Sequence, residues 1–225
     1  MGKLIAIEGT DGSGKQTQAQ MLFEYLSAEG VRCKKIGFPN YQSESSALVK
    51  MYLRGEFGKN ADAVDPKIAS IFFAGDRYAS WKTVWEECYR ESGIILTDRY
   101  VMSNLIHQAA KLDLYEERLA FKRWLEELEY GIFSLPRPDL VFYLHMDIEA
   151  SFALMENRNN KFSGQADKDI HERDREYMKR SYQCAELFSR IDSWHRIECL
   201  KDGEIRTREE IHQELVRILK EERIV

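Results

Sequence analysis

Lys3-Leu4-Ile5-Ala6-Ile7-Glu8-Gly9-Thr10-Asp11-Gly12-Ser13-Gly14-Lys15 joins a short apolar run to a glycine-rich loop that closes on a lysine. Lys3–Glu8 reads as a strand. Gly14–Glu29 carries Met21, Leu22, Tyr25 and Leu26 at helical spacing and stops at Gly30, a natural C-terminal residue. A glycine loop between a strand and a helix turns several backbone N–H groups inward around an anion. Gly9, Gly12 and Gly14 permit the close approach, and the helix start adds the positive end of its dipole. Lys15 supplies a mobile cation for the outer phosphates of a nucleoside triphosphate. Thr10, Asp11 and Ser13 complete the loop, and Gln16 and Thr17 open the helix. A tight turn with no ligand is the plain alternative. The strand before, the helix after and the closing lysine together select a P-loop.

One position departs from the general motif, in which Ser or Thr follows the lysine and its hydroxyl binds Mg²⁺. Here Gln16 follows Lys15 and Thr17 comes one later. Either the Gln16 amide or a water takes that metal position, or the metal is held mainly from elsewhere.

Outward from this loop, short β-branched runs alternate with longer helical patterns, the signature of a parallel sheet covered by helices. Further strands are expected at Arg32–Phe38, Gly93–Thr97, Asp139–Met146 and, more weakly, His195–Leu200. Asp65-Pro66 is a helix start, with an N-cap acid before a first-turn proline, and Thr207-Arg208-Glu209-Glu210 is a capping box. Residues 157–169 (NRNNKFSGQADKD) are polar and read as a mobile loop between two helices. The fold class expected is α/β, a P-loop NTPase fold with a five-stranded parallel sheet flanked by helices. With 225 residues and only four prolines, no linker divides the chain, so residues 1–225 read as a single domain.

The net charge of −5 argues against a general nucleic-acid binder and leaves room for a small anionic ligand held by a few arginines. The four cysteines show no CxxC pair or metal-ligand spacing, which fits a reducing compartment. The first apolar run, Leu4 to Ile7, is too short for a signal peptide or membrane span, so a cytoplasmic protein is expected.

Asp98 follows a buried-type run, Gly93–Thr97, at the carboxyl edge where open α/β sheets bind ligands. A carboxylate there can hold Mg²⁺, directly or through water, and Arg99 beside it suits a second phosphate. A helix cap paired to an arginine is the bland alternative. On a predicted helix, Phe73 and Arg77 share a face, where a ring and a guanidinium can read a base; Phe73 could equally be core.

Four stretches now point one way. Glu8-Gly9-Thr10-Asp11-Gly12-Ser13-Gly14-Lys15-Gln16-Thr17-Gln18 resembles the P-loop of thymidylate kinases, with Asp at its third position. Phe38-Pro39-Asn40-Tyr41 is similar to their FPxY segment, Phe73-Ala74-Gly75-Asp76-Arg77 to their FAxxR helix, and Asp98-Arg99-Tyr100 to their DRY signature. The resemblance implies transfer of the ATP γ-phosphoryl group to dTMP with Mg²⁺. It implies Asp11 at the sugar 3′-hydroxyl, Arg99 on the dTMP phosphate with Phe38 and Tyr41, and Phe73 stacked on thymine. Arg77 would reach O4 and Asn104 the N3–H edge, with Ser103 and Gln108 as neighbours. His107 stands where the family commonly has Tyr or Phe against the sugar; an exposed helix histidine is the other reading. The P-loop lacks an arginine, so the resemblance implies a clamping arginine on a lid around 157–169. Arg158 is its first candidate, with Lys161 and Arg173 behind it, and Glu172 matches a family acid loosely. A solvated helix-end Arg158 is the alternative. A homodimer packed through helices is also implied.

Two rivals remain. A deoxynucleoside kinase needs a general base, usually a carboxylate after the second strand, where this chain has Gly37-Phe38-Pro39-Asn40-Tyr41 and no acid before Glu44. A kinase for another monophosphate, or a degenerate protein that only binds nucleotide, would keep the same loop.

Overall fold

The computed structural model describes residues 1–161 and 170–225, with side chains throughout except at 156–161. Five strands form one parallel sheet: β1 (Lys3–Glu8), β2 (Cys33–Gly37), β3 (Ile94–Asp98), β4 (Leu140–His145) and β5 (His195–Glu198), in the order β2-β3-β1-β4-β5. The strand order turns at β1, the most central strand. The crevice at its carboxyl end is where such sheets bind ligands.

Side-chain alternation explains the layers. Leu4 and Ala6 of β1, Ile95 of β3 and Tyr143 of β4 face one core, while Ile5, Ile7, Ile94, Leu96, Phe142 and Leu144 face the other. The second core is covered by α1 (Lys15–Ala28) through Leu22 and Leu26, and by α9 (Arg208–Glu221) through Leu215 and Leu219. The first is covered by Trp81 and Trp85, in the wide turn that joins α3 (Pro66–Ser80) to α4 (Glu86–Arg90), and by α4, α5 (Met102–His107), α6 (Tyr115–Glu126) and α8 (Arg175–Ile191). A short helix α2 (Ala47–Leu53) packs with α3 and Ile170 in a smaller third cluster. The remaining long helix, α7 (Ile148–Lys161), follows β4.

The predicted caps form. Asp65 accepts from Lys67 N at 2.8 Å, and Thr207 and Glu210 close a reciprocal capping box at the start of α9. Three boundaries differ from expectation. Asp98 lies inside β3, opposite Ile7 and Gly37, rather than just beyond it. Residues 157–161 extend α7 where a loop was expected, because the polar run contains no helix breaker before Gly164. The last strand stops at Glu198; Leu200–Lys201 (β6) instead pairs antiparallel with Glu204–Ile205 (β7). The turn between them is Asp202-Gly203, both at positive φ (54° and 83°), a two-residue hairpin signal the strand reading passed over.

Candidate active site

The phosphate loop runs from the end of β1 into α1; space demands glycine at Gly9 and Gly12, and a left-handed φ of 85° favours it at Gly14. At Gly12, with φ 82°, a Cβ would sit 2.9 Å from the Ser151 carbonyl oxygen of α7. At Gly9 it would fall 2.6 Å from Ser13 Oγ and 2.8 Å from the Leu144 carbonyl. Thr10 and Ser13 are buried beneath the loop, Asp11 and Thr17 are half-buried, and Gln16 points out to solvent. Lys15 is buried and donates to the Thr10 carbonyl at 2.6 Å and to Ser13 Oγ at 3.4 Å. Burial pushes its ammonium down, and Arg99 adds to this. Asp11, Asp98 and Glu8 oppose them, leaving it at about 8.

Next to the loop, Arg99 adopts φ 68°, a left-handed backbone that L-residues with a long side chain avoid. Neighbouring bonds hold it there. Arg99 N donates to the Ile7 carbonyl at 3.1 Å, and Tyr100 N donates to Glu8 Oε1 at 2.6 Å. The twist aims the guanidinium across the loop to an ion pair with Asp11, and along α5 to His107 Nε2 at 3.0 Å and Ser103 Oγ at 3.5 Å. Burial pushes the Asp11 carboxyl up, but the Arg99 guanidinium, with Lys15 behind it, overcomes this and holds it below the usual carboxylate range. Burial, aided by Arg99 and Lys15 against Asp11, brings His107 down to about 3. His107 is therefore a neutral acceptor for Arg99. It is not the exposed helix histidine weighed from the sequence: it is half-buried on the pocket wall and stacks on His171, with ring centroids 5.8 Å apart.

One pocket extends from Arg99 toward α3. It gathers Asp11, Phe38, Tyr41, Phe73, Arg77, Arg99, Ser103, Asn104, His107 and Gln108 from four separate stretches of chain. Phe73 meets both readings: it lines the pocket and also packs edge-on against Tyr52, at 6.2 Å. Gln108 is fully buried with neither amide atom hydrogen-bonded to a described residue. Pro39, Leu53, His171 and Glu172 complete the lining. Arg173 is exposed, just beyond the pocket-lining Glu172. The side chains of Arg158 and Lys161, and residues 162–169 of the expected lid, lie outside the described residues.

Three carboxylates escaped the sequence reading. Glu8, fully buried, accepts from Tyr100 N and from Ser103 Oγ at 2.7 Å; burial raises it to about 6 against those bonds and the nearby cations. Asp76 accepts from Asn40 N at 2.8 Å and Ser45 Oγ at 2.6 Å, tying the loop that carries Phe38 and Tyr41 to α3. Glu129 pairs with Arg77, and both are wholly buried. Phe121, Leu125 and Glu129 recur at helical spacing along one buried face, so an acid at an apolar position was the available signal for the third.

For a metal, the donor set is informative. Asp98 Oδ1 is buried with no hydrogen-bond partner among the described residues, at the carboxyl end of β3, and its Cβ faces Gly37. An orphaned carboxylate oxygen beside a phosphate loop fits a hydrated divalent cation. Among the described residues, no three acidic, His or Cys side chains converge as a preformed metal cage. No described helix is long and apolar enough to cross a membrane, and all four cysteines are free thiols.

Comparison with known proteins follows from this geometry. The thymidylate kinase family model matches residues 7–203. Thymidylate kinase from Mycobacterium tuberculosis (strain H37Rv) is 34% identical over 181 residues, covering 79% of this chain and 81% of the relative. That from Plasmodium falciparum is 27% identical over 217 residues, covering 96% and 89%. The solved structure of thymidylate kinase from Candida albicans superposes with a TM-score of 0.70 at 24% identity, over 99% of this chain and 93% of that one. This last likeness speaks for the fold.

Proposed function

The chain belongs to the thymidylate kinase family, and from that premise we propose that it moves the γ-phosphoryl group of ATP onto the phosphate of dTMP, giving dTDP and ADP. One observation carries this reading: the Arg99 guanidinium touches the phosphate loop through Asp11 and the adjoining pocket through His107 and Ser103. An acceptor phosphate held by Arg99 therefore lies against the cradle for the donor phosphates.

The acceptor is already anionic, so no general base is needed, and positioning and charge neutralisation supply the catalysis. Residues Gly9–Thr17 hold the triphosphate. Lys15 releases the Thr10 carbonyl to follow the migrating charge. Asp11 exchanges Arg99 for the sugar 3′-hydroxyl as the phosphate takes the guanidinium. Phe38 and Tyr41 flank that phosphate, and Phe73 stacks on thymine. Arg77 and Asn104 read its edge, with Ser103, His107 and Gln108 lining the sugar side. Mg²⁺, held by Asp98 through water with Gln16 near the loop's end, would screen the phosphate oxygens. Arg158, on a lid around 157–169, is assigned the closing cation. The rest of the chain is one kinase domain built around this site.

A homodimer is supported by the outer face of α3, where Ile68, Ile71 and Tyr78 are exposed in a stripe. Ile71→Glu should lower the mass seen by sedimentation; an unchanged mass puts the partner elsewhere.

The test is coupled ADP release with Mg-ATP and a panel of nucleosides and monophosphates. Strong preference for dTMP is expected. Preference for another monophosphate would relocate the base specificity, and silence with ATP still bound would leave a degenerate binder.

A further inference from the structure

Glu129 lies in the wide turn (Glu127–Ile132) that continues α6, and it is fully buried 52 residues from Arg77 in sequence. Its two oxygens take Arg77 side by side, Nε to Oε2 at 2.8 Å and one terminal nitrogen, Nη2, to Oε1. The same Oε1 draws Asn104 Nδ2 to 3.4 Å, and the Ser70 carbonyl oxygen approaches that nitrogen at 3.5 Å.

Two orientations follow. A flipped Asn104 amide would set its oxygen against a carboxylate and a carbonyl with no proton among them, so Nδ2 stays turned away and Oδ1 is the atom left for a ligand. For Arg77, Nε–H and one Nη2–H go to Glu129, and a guanidinium has no acceptor, so what it offers the pocket it lines is the remaining N–H donors of its terminal nitrogens. The pocket edge thus offers one donor beside one acceptor. A 4-oxopyrimidine, with a carbonyl next to an imide N–H, matches that pair. A 4-aminopyrimidine, with an amine next to a bare ring nitrogen, opposes donor to donor and acceptor to acceptor.

We infer that Glu129 is a positioning residue that sets base choice, by fixing Arg77 as donor and Asn104 as acceptor toward the pocket. This rests on the reading that the pocket holds the base of dTMP. Glutamine at 129 keeps the shape but brings an amide N–H₂ that contests both orientations. In Glu129→Gln, the ratio of kcat/KM for dTMP over dCMP should fall by about tenfold or more while the KM for ATP holds. A merely structural Glu129 would lower both rates together, and an unmoved ratio overturns the inference.

A ligand-side test needs no variant. The unsubstituted protein should bind N3-methyl-dTMP about tenfold or more weakly than dTMP, and equal binding overturns the inference. If the unsubstituted protein shows no preference for dTMP over dCMP, the reading of the pocket falls and takes the inference with it. That outcome appears before any substitution, so it is distinct from a failure confined to Glu129.

Discussion

Arg99 and Arg77 each face a carboxylate at opposite ends of one pocket, and the two pairs are built for different work. Asp11 and Arg99 are 23% and 19% exposed, whereas Arg77 and Glu129 are 1% and 0% exposed. A partly exposed pair exchanges partners more cheaply, because water and an incoming anion can replace what is lost. A fully buried pair cannot, since removing one member strands a charge away from water. The Arg99 end is therefore an exchangeable contact, suited to the phosphate proposed for it, and the Arg77 end a permanent scaffold, suited to the base. The backbone agrees: Arg99 is aimed by a left-handed twist at a strand end, while Arg77 is held inside a regular helix.

The largest expected effect tests the exchangeable end. Lys15→Ala should lower kcat by about a thousandfold, since it removes the cation that follows the transferring group, with the fold intact by circular dichroism. Near-normal turnover would refute the phosphate-loop assignment.

The contrast itself is broken or kept by paired truncations. Glu129→Ala should cost about 3–5 kcal/mol in urea unfolding, against a smaller loss of about 1–2 kcal/mol for Asp11→Ala. Equal losses would show that both arginines are scaffold. On the base side, Phe73→Ala should raise the KM for dTMP by roughly tenfold, from a lost stacking contribution of about 1–3 kcal/mol, leaving the KM for ATP alone. An unchanged KM for dTMP would make Phe73 a core residue against Tyr52.

The smallest effect is a pH limb. Lys15 sits at about 8, below its ordinary value, so the free protein loses the ammonium as pH rises through 8. kcat/KM for ATP should be level below that point and fall about tenfold per unit above it. Bound phosphates favour the ammonium, so the limb in kcat should lie at higher pH. A kcat/KM profile flat past pH 9 would contradict the burial of Lys15.

The same division governs what the sequence could reveal. The phosphate loop is a run of consecutive residues, and Phe73 with Arg77 is one helical step, so both are written locally. β1, β3 and β4 were legible because each is a short, mainly apolar run, whereas β2 (Cys33-Lys34-Lys35-Ile36-Gly37) and β5 (His195-Arg196-Ile197-Glu198) are half polar and the last was the weaker signal. Glu129 was not: it stands in Glu126-Glu127-Leu128-Glu129, which looks like a solvated acidic run until the turn at 127–132 is seen to carry it inside. Glu8 was hidden differently, since its partners Tyr100 and Ser103 lie more than ninety residues away. Asp98 was placed one position outside its strand, as strand ends depend on pairing partners that a single sequence does not display.

Asp76 gives the molecule a property beyond adhesion. It stands between Phe73 and Arg77 on α3, and its carboxylate carries the 38–46 segment through Asn40 and Ser45. Phe73, Arg77 and the 38–46 segment thus ride on one helix, and the span between them cannot stretch without bending it or breaking the Asp76 bonds. Under the proposed reading the pocket would act as a gauge, in which a nucleoside falls short of the far jaw and a diphosphate overruns it.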